Sequence, residues 1–159
     1  MSRVYSISKA TMDDVRTIHE LLNHFADKGL LLGRSLSSLY DQLRDFKICR
    51  TAAGQVAGVC ALHICWENLA EIRSLAVSEP FQRSGVGTLL VTSCLDEAVS
   101  YGISKVFTLT YQPGFFRELG FVAIDKSALP HKVWSDCIHC AKFPDCNEEA
   151  LEWRSEEAE

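Results

Sequence analysis

The chain has 159 residues, of which 47% are apolar and 23% charged, and its net charge is −5. This is the size and balance of one domain, 1–159, that buries its own core without disulfides or structural metal, and the acidic sign argues against a general nucleic-acid binder while leaving room for a polyanionic cofactor held by backbone amides. The N-terminus carries no signal-peptide run and no stretch approaches a membrane span, which predicts a cytoplasmic protein. Along the chain, Val4 to Ile7 predicts a short strand. Thr11 to Asp14 reads as a variant capping box with Asp14 in place of Glu. Val15, Ile18, Leu21, Leu22 and Phe25 then recur at helical spacing. Gly29 and Gly33 bracket an apolar loop. Ser35 or Ser37 caps a second helix carrying Leu36, Leu39, Tyr40 and Leu43.

The period then changes to that of strands. Phe46 to Cys49 and Val56 to Ile64 are joined by a turn at Ala53-Gly54, and Ala70 to Val77 follows a turn at Asn68. Glu79-Pro80 ends this run. A helix is predicted from about Gly85 to about Tyr101, stopped by Gly102. Lys105 to Thr110 is a strand, Pro113 to Leu119 a short helix stopped by Gly120, and Phe121 to Ile124 begins another strand. The order is β-α-α-β-β-β-α-β-α-β, without repeats or linkers. Residues 155–159 read as a frayed acidic tail.

The segment Gln82-Arg83-Ser84-Gly85-Val86-Gly87 lies between a strand and a helix start. First-turn amides lack helical partners, and the helix dipole adds partial positive charge there. Gly85 and Gly87 remove side chains, so a pyrophosphate can approach the backbone, and Arg83 adds a cation. The pattern is neither a dinucleotide fingerprint nor a P-loop. By itself a G-x-G is weak evidence and reads first as an ordinary strand-to-helix turn.

In its context, Gln82-x-x-Gly85-x-Gly87 resembles the acetyl-CoA loop of the GNAT acetyltransferase superfamily. Tyr111-Gln112-Pro113-Gly114-Phe115-Phe116-Arg117-Glu118-Leu119-Gly120-Phe121 resembles the segment after the fifth GNAT strand, where a short helix lies alongside CoA. The resemblance implies an α/β (α+β) fold with a mixed, mostly antiparallel sheet of six to seven strands. It also implies a splay between strands 4 and 5 and about four helices. It places acetyl-CoA against Leu75, Ala76, Val77, Gln82, Arg83, Ser84, Gly85, Val86, Gly87, Phe115 and Phe116. Phe115, Phe116 and Phe121 also fit core packing.

Within that superfamily the chain is most similar to the acetyltransferase domain of N-acetylglutamate synthase. The similarity runs through Ile7 to Thr11, with Lys9 where arginine is common. It continues through Gly29 to Ser35, Ala70 to Val77, Val106 to Thr110 and Ile124 to Pro130. It implies a short form without the kinase-like regulatory domain, transferring acetyl to L-glutamate in the first step of arginine biosynthesis. Glu71 is then the candidate general base, with a solvated carboxylate or a partner for Arg73 as its ordinary readings. A main-chain N–H near Leu75 to Val77 would polarise the thioester carbonyl. Tyr111 is either the acid for the departing thiolate or a ring packed on the pantetheine.

Two carboxylates on the acceptor call for cations and donors. Arg34 and Ser35 match the family's substrate loop, Arg73 is a further cation, and a surface charge is the ordinary reading of Arg34. Strict strand alternation sets Ser74 opposite Glu71 and Arg73 unless a bulge intervenes, whereas the resemblance places Ser74 at the substrate. Lys132 and Lys142 are both candidates for the family's C-terminal basic residue. A homodimer is an assembly that GNAT proteins often form.

Seven cysteines are many for this length. Cys49, Cys60, Cys65 and Cys94 lie in apolar segments and read as packed free thiols. Cys137, Cys140 and Cys146 with His139 allow reduced thiols lining the substrate side, a Cys₃His zinc site, or a redox disulfide between Cys137 and Cys140. Two other functions stay open: a GNAT enzyme acting on another amino acid, an amine or a protein N-terminus, and a non-catalytic acyl-CoA or arginine sensor.

Overall fold

The computed structural model describes residues 4–31, 33–130 and 148–155. Its strands are β1 (Tyr5–Lys9), β2 (Phe46–Thr51), β3 (Val56–Trp66), β4 (Leu69–Val77), β5 (Lys105–Thr110), β6 (Val122–Ala123) and β7 (Glu149–Arg154). Four α-helices are described: α1 (Val15–Asp27), α2 (Leu36–Asp41), α3 (Val86–Ser100) and α4 (Pro113–Glu118). The strands follow the order β1-β2-β3-β4-β5-β7-β6, with β4 and β5 parallel in a mixed sheet.

The chain divides into two compact units. The first comprises Met1–Leu62 and Ile72–Glu97. Here β1 pairs antiparallel with β2, setting Ile7 opposite Cys49, and β2 with β3, setting Ile48 opposite Val59. The apolar stripe expected on α1 is its buried face: Val15, Ile18, Leu22 and Phe25 join Leu39, Phe46, Ile48, Val59 and Ala61 in one cluster. Asp14 helps start α1, its carboxylate accepting the Thr11 N–H at 2.8 Å and the Thr11 hydroxyl at 3.2 Å. Ser35 is the cap of α2, accepting the Ser38 N–H at 3.1 Å. Lys47 is buried on β2 and donates to the carbonyl and hydroxyl of Ser93 on α3, both at 2.9 Å. Lys9 pairs with Glu97 of the same helix.

The second unit comprises His63–Glu71 and Ala98–Glu159. Asn68 turns the β3–β4 hairpin with φ +52°, and its side-chain oxygen accepts the Ser104 N–H at 2.6 Å. Phe107 of β5 packs with Cys65, Leu69, Leu129 and Ala150. The rings of Phe116 and Phe121 meet edge to face at 5.2 Å. Gly102 and Gly120, expected as helix stops, take φ +81° and +94°.

The final strand β7 has no counterpart in the sequence reading, which ends at Phe121 to Ile124. Glu149-Ala-Leu-Glu-Trp-Arg154 is built largely of helix formers, yet it pairs along its length with β5, Val106 opposite Trp153 and Thr108 opposite Leu151. Tertiary pairing overrides local propensity here. Ser155, placed in a frayed tail by sequence, donates its N–H to the Ser104 carbonyl at 2.9 Å.

Candidate active site

The turn that leads from β4 into α3 lies wholly in the first unit. A 3₁₀ turn, Glu79–Phe81, follows β4. The Gln82 side-chain amide donates to the Val77 carbonyl at 3.0 Å, folding the turn back on the strand end. Arg83 and Gly85 take φ +62° and +87°, on either side of Ser84. Alternating backbone handedness turns successive amides to one side, the concave form that binds anions. The first turn of α3 adds amides without helical partners. A Cβ at Gly85 would meet no atom within 4 Å, so the approach to this backbone is open. The Ser84 hydroxyl donates to the Phe81 carbonyl and lies 3.0 Å from the Tyr5 hydroxyl of β1. Tyr5 was not among the residues singled out from sequence, because nothing local marks a β1 tyrosine as a support for a turn so distant in the chain.

The same unit contains a second cluster, around Arg34. Its Nε and Nη2 donate to the Ser38 hydroxyl at 3.1 and 2.9 Å, Nη2 also to the Gln42 side-chain oxygen, and Nη1 to the Ser74 hydroxyl at 3.3 Å. The guanidinium carbon lies 5.4 Å from the centre of the buried Phe46 ring, within cation–π reach. Arg34 is therefore half-buried and built in, and the surface-charge reading does not hold. Ser38 and Gln42 were missed by sequence, although Arg34, Ser38 and Gln42 follow one another at four-residue spacing, the interval of one helical face.

Ser74 has φ +54° in the middle of β4. A serine in this region costs about 1–3 kcal/mol and interrupts the alternation of the strand. Strict alternation is thus the wrong guide at this position; Ser74 turns its hydroxyl to Arg34. Arg73 and Leu75 are half-buried and Ala76 is buried. Ser35 is occupied in capping and is exposed.

Glu71 and Tyr111 belong to the second unit. Glu71 is 8% exposed, which removes the solvated-carboxylate reading. Tyr111 follows β5 and is half-buried, as is Phe115, while Phe116 is part of the core. Lys132, Lys142, Cys137, His139, Cys140 and Cys146 lie outside the described residues. Among the described residues no group of three or more His, Cys, Asp or Glu is placed to hold a metal ion. Cys49, Cys60, Cys65 and Cys94 are buried free thiols, as expected. The neighbouring Cys94 thiol, together with burial, pushes the Cys60 thiol well above its ordinary range. No helix among the described residues is long and apolar enough to cross a membrane.

The family model for the acetyltransferase (GNAT) family matches residues 15–121, a span that runs from α1 through the β4–α3 turn to α4. The chain belongs to the GNAT acetyltransferase family. Among its relatives, an N-acetyltransferase of Chlorobaculum tepidum described as uncharacterised is 37% identical over 145 residues, covering 91% of this chain and 93% of that one. The amino-acid acetyltransferase of Mycobacterium tuberculosis is 31% identical over 132 residues, 82% of this chain and 75% of that one. Among solved structures, N-acetylglutamate synthase from Neisseria gonorrhoeae, complexed with coenzyme A and N-acetyl-glutamate, superposes with a TM-score of 0.87 at 29% identity. The match takes in 97% of this chain and 36% of that longer one. As a GNAT chain the protein is an acyltransferase, and the β4–α3 turn is the element in which the family's motif and the anion-binding geometry coincide.

Proposed function

We propose that this chain transfers the acetyl group of acetyl-CoA to the amino group of L-glutamate. The observation that carries the reading is the Arg34 cluster. An arginine fork held by Ser38, Gln42 and Ser74 over a phenylalanine ring sits in the same unit as an amide-rich turn suited to pyrophosphate. One feature favours a carboxylate-bearing acceptor and the other the CoA diphosphate. The Mycobacterium tuberculosis amino-acid acetyltransferase and the Neisseria gonorrhoeae synthase complex support the same pairing.

In this reading the cofactor diphosphate rests on the amides of residues 82–87, with Arg83 adding charge. Glu71 takes a proton from the acceptor ammonium, directly or through water. The freed amine attacks the thioester carbon while a β4 amide near Leu75 to Val77 holds the developing oxyanion. The carbon–sulfur bond breaks, Tyr111 gives its proton to the departing thiolate, and the tyrosinate recovers one through water from the attacking nitrogen as the amide forms. Arg34, with Arg73, neutralises the acceptor carboxylates. The chain works as one domain and supplies arginine biosynthesis with its acetylated precursor.

Steady-state kinetics of Arg34→Ala test the acceptor half. Losing a charged hydrogen-bond pair costs about 1.5–3 kcal/mol, so the KM for glutamate is expected to rise about tenfold or more while the KM for acetyl-CoA holds. An unchanged glutamate KM would remove Arg34 from the acceptor site.

A further inference from the structure

The β4–α3 turn leads into α3, and side chains of α3 lie against a glycine of β3 that no motif marks. Gly58 lies in β3, and its φ is outside the positive region, so its backbone conformation is open to any residue. Space is what bars a side chain. A Cβ at Gly58 would lie 2.9 Å from the Ala76 carbonyl oxygen, 3.1 Å from Val86 Cγ1 and 3.1 Å from Leu90 Cδ1. The first neighbour is backbone and has no rotamer to give way. The other two belong to side chains that are 1% and 0% exposed. Close-packed interiors pass such an intrusion on as displacement.

Two of these neighbours matter for the proposed cofactor site. Val86 is the first residue of α3, one position beyond the left-handed Gly85. Ala76 is the middle of the β4 stretch whose amides face the thioester in the reading above. From this contact we infer that Gly58 is a positioning residue for acetyl-CoA: the missing side chain lets α3 settle onto β3 and β4 at the height that aims its first-turn amides at the diphosphate. Gly58 touches no substrate itself. Its effect passes through Val86 and Ala76, and the inference rests on the reading of residues 82–87 as the CoA loop.

Calorimetric titration of the wild-type chain, Gly58→Ala and Leu90→Ala with CoA tests this without any acyl acceptor. A partly misfolded sample lowers the stoichiometry and leaves Kd alone, whereas a displaced seat weakens Kd. Charged hydrogen bonds to the diphosphate make a misaimed turn costly, so Gly58→Ala is expected to weaken Kd about tenfold at wild-type stoichiometry. Leu90→Ala loosens the same contact from the helix side and is expected to weaken Kd about threefold. Should Gly58→Ala fail to fold, Leu90→Ala decides by the same criterion. An unchanged Kd in the folded variant overturns the inference, whatever the stoichiometry. Absence of CoA binding by the wild-type chain would instead overturn the CoA-loop reading beneath it.

Discussion

Glu71 and Tyr111 are each expected to bear on turnover, and single substitutions test them one at a time. Glu71→Gln keeps the shape of the side chain and removes its ability to take a proton. Its kcat is expected to fall about 10²- to 10⁴-fold, with the Kd for CoA within about twofold, as measured by rapid-mix kinetics and calorimetry. Unchanged turnover would remove Glu71 from the mechanism. Tyr111→Phe keeps the ring and removes the hydroxyl, so kcat is expected to fall while the acetyl-CoA KM holds, and an unchanged kcat would leave packing on the pantetheine as the ring's role. At this scale sequence was a partial guide. The types and positions of Arg34 and Glu71 were readable, but the environment of each came from the fold. The burial of Glu71 and the left-handed Ser74 are set by how β4 is built, and periodicity assumes a regular strand. Ser38 and Gln42 escaped because a helix-surface polar residue acquires meaning only from the side chain it faces.

Among elements, α1 and α3 were legible because their apolar spacing and flanking stop signals agree. β7 was not, because its local composition favours another state and only its partner strand makes it β. The 3₁₀ turn at Glu79–Phe81 shows another contribution hidden from sequence. Glu79 is bonded by Lys28 and, at 2.7 Å, by His24, both at the C-terminal end of α1. Lys28 first, then His24, lowers the Glu79 carboxyl from 4.5 to about 2. Because the folded value is the depressed one, the contact stabilises the folded chain above about 4.5 and that contribution is lost as pH falls through about 2. The Tm offset between the wild-type chain and Glu79→Gln is therefore expected to shrink as pH falls from 4.5 to about 2. The pair is exposed, so the offset itself is expected to be small. An offset that grows on acidification would contradict the assignment.

At the level of the whole molecule, each of the two units has its own buried cluster, while β3 and β4 contribute residues to both. Continuous strands are expected to make unfolding a single transition, followed in parallel by far-ultraviolet circular dichroism and tryptophan fluorescence. Two separated transitions would show that the units unfold independently. Function at this scale rests on the acyl acceptor, which an amide-rich turn suited to pyrophosphate leaves undetermined, since such a turn serves any acceptor alike. The acceptor claim depends on the Arg34 cluster, and a panel of free amino acids tests it most directly. With acetyl-CoA and the wild-type chain, thiol release is expected with L-glutamate and not with L-aspartate or L-glutamine. Equal release with all three, or release with an amine that bears no carboxylate and none with glutamate, would contradict it.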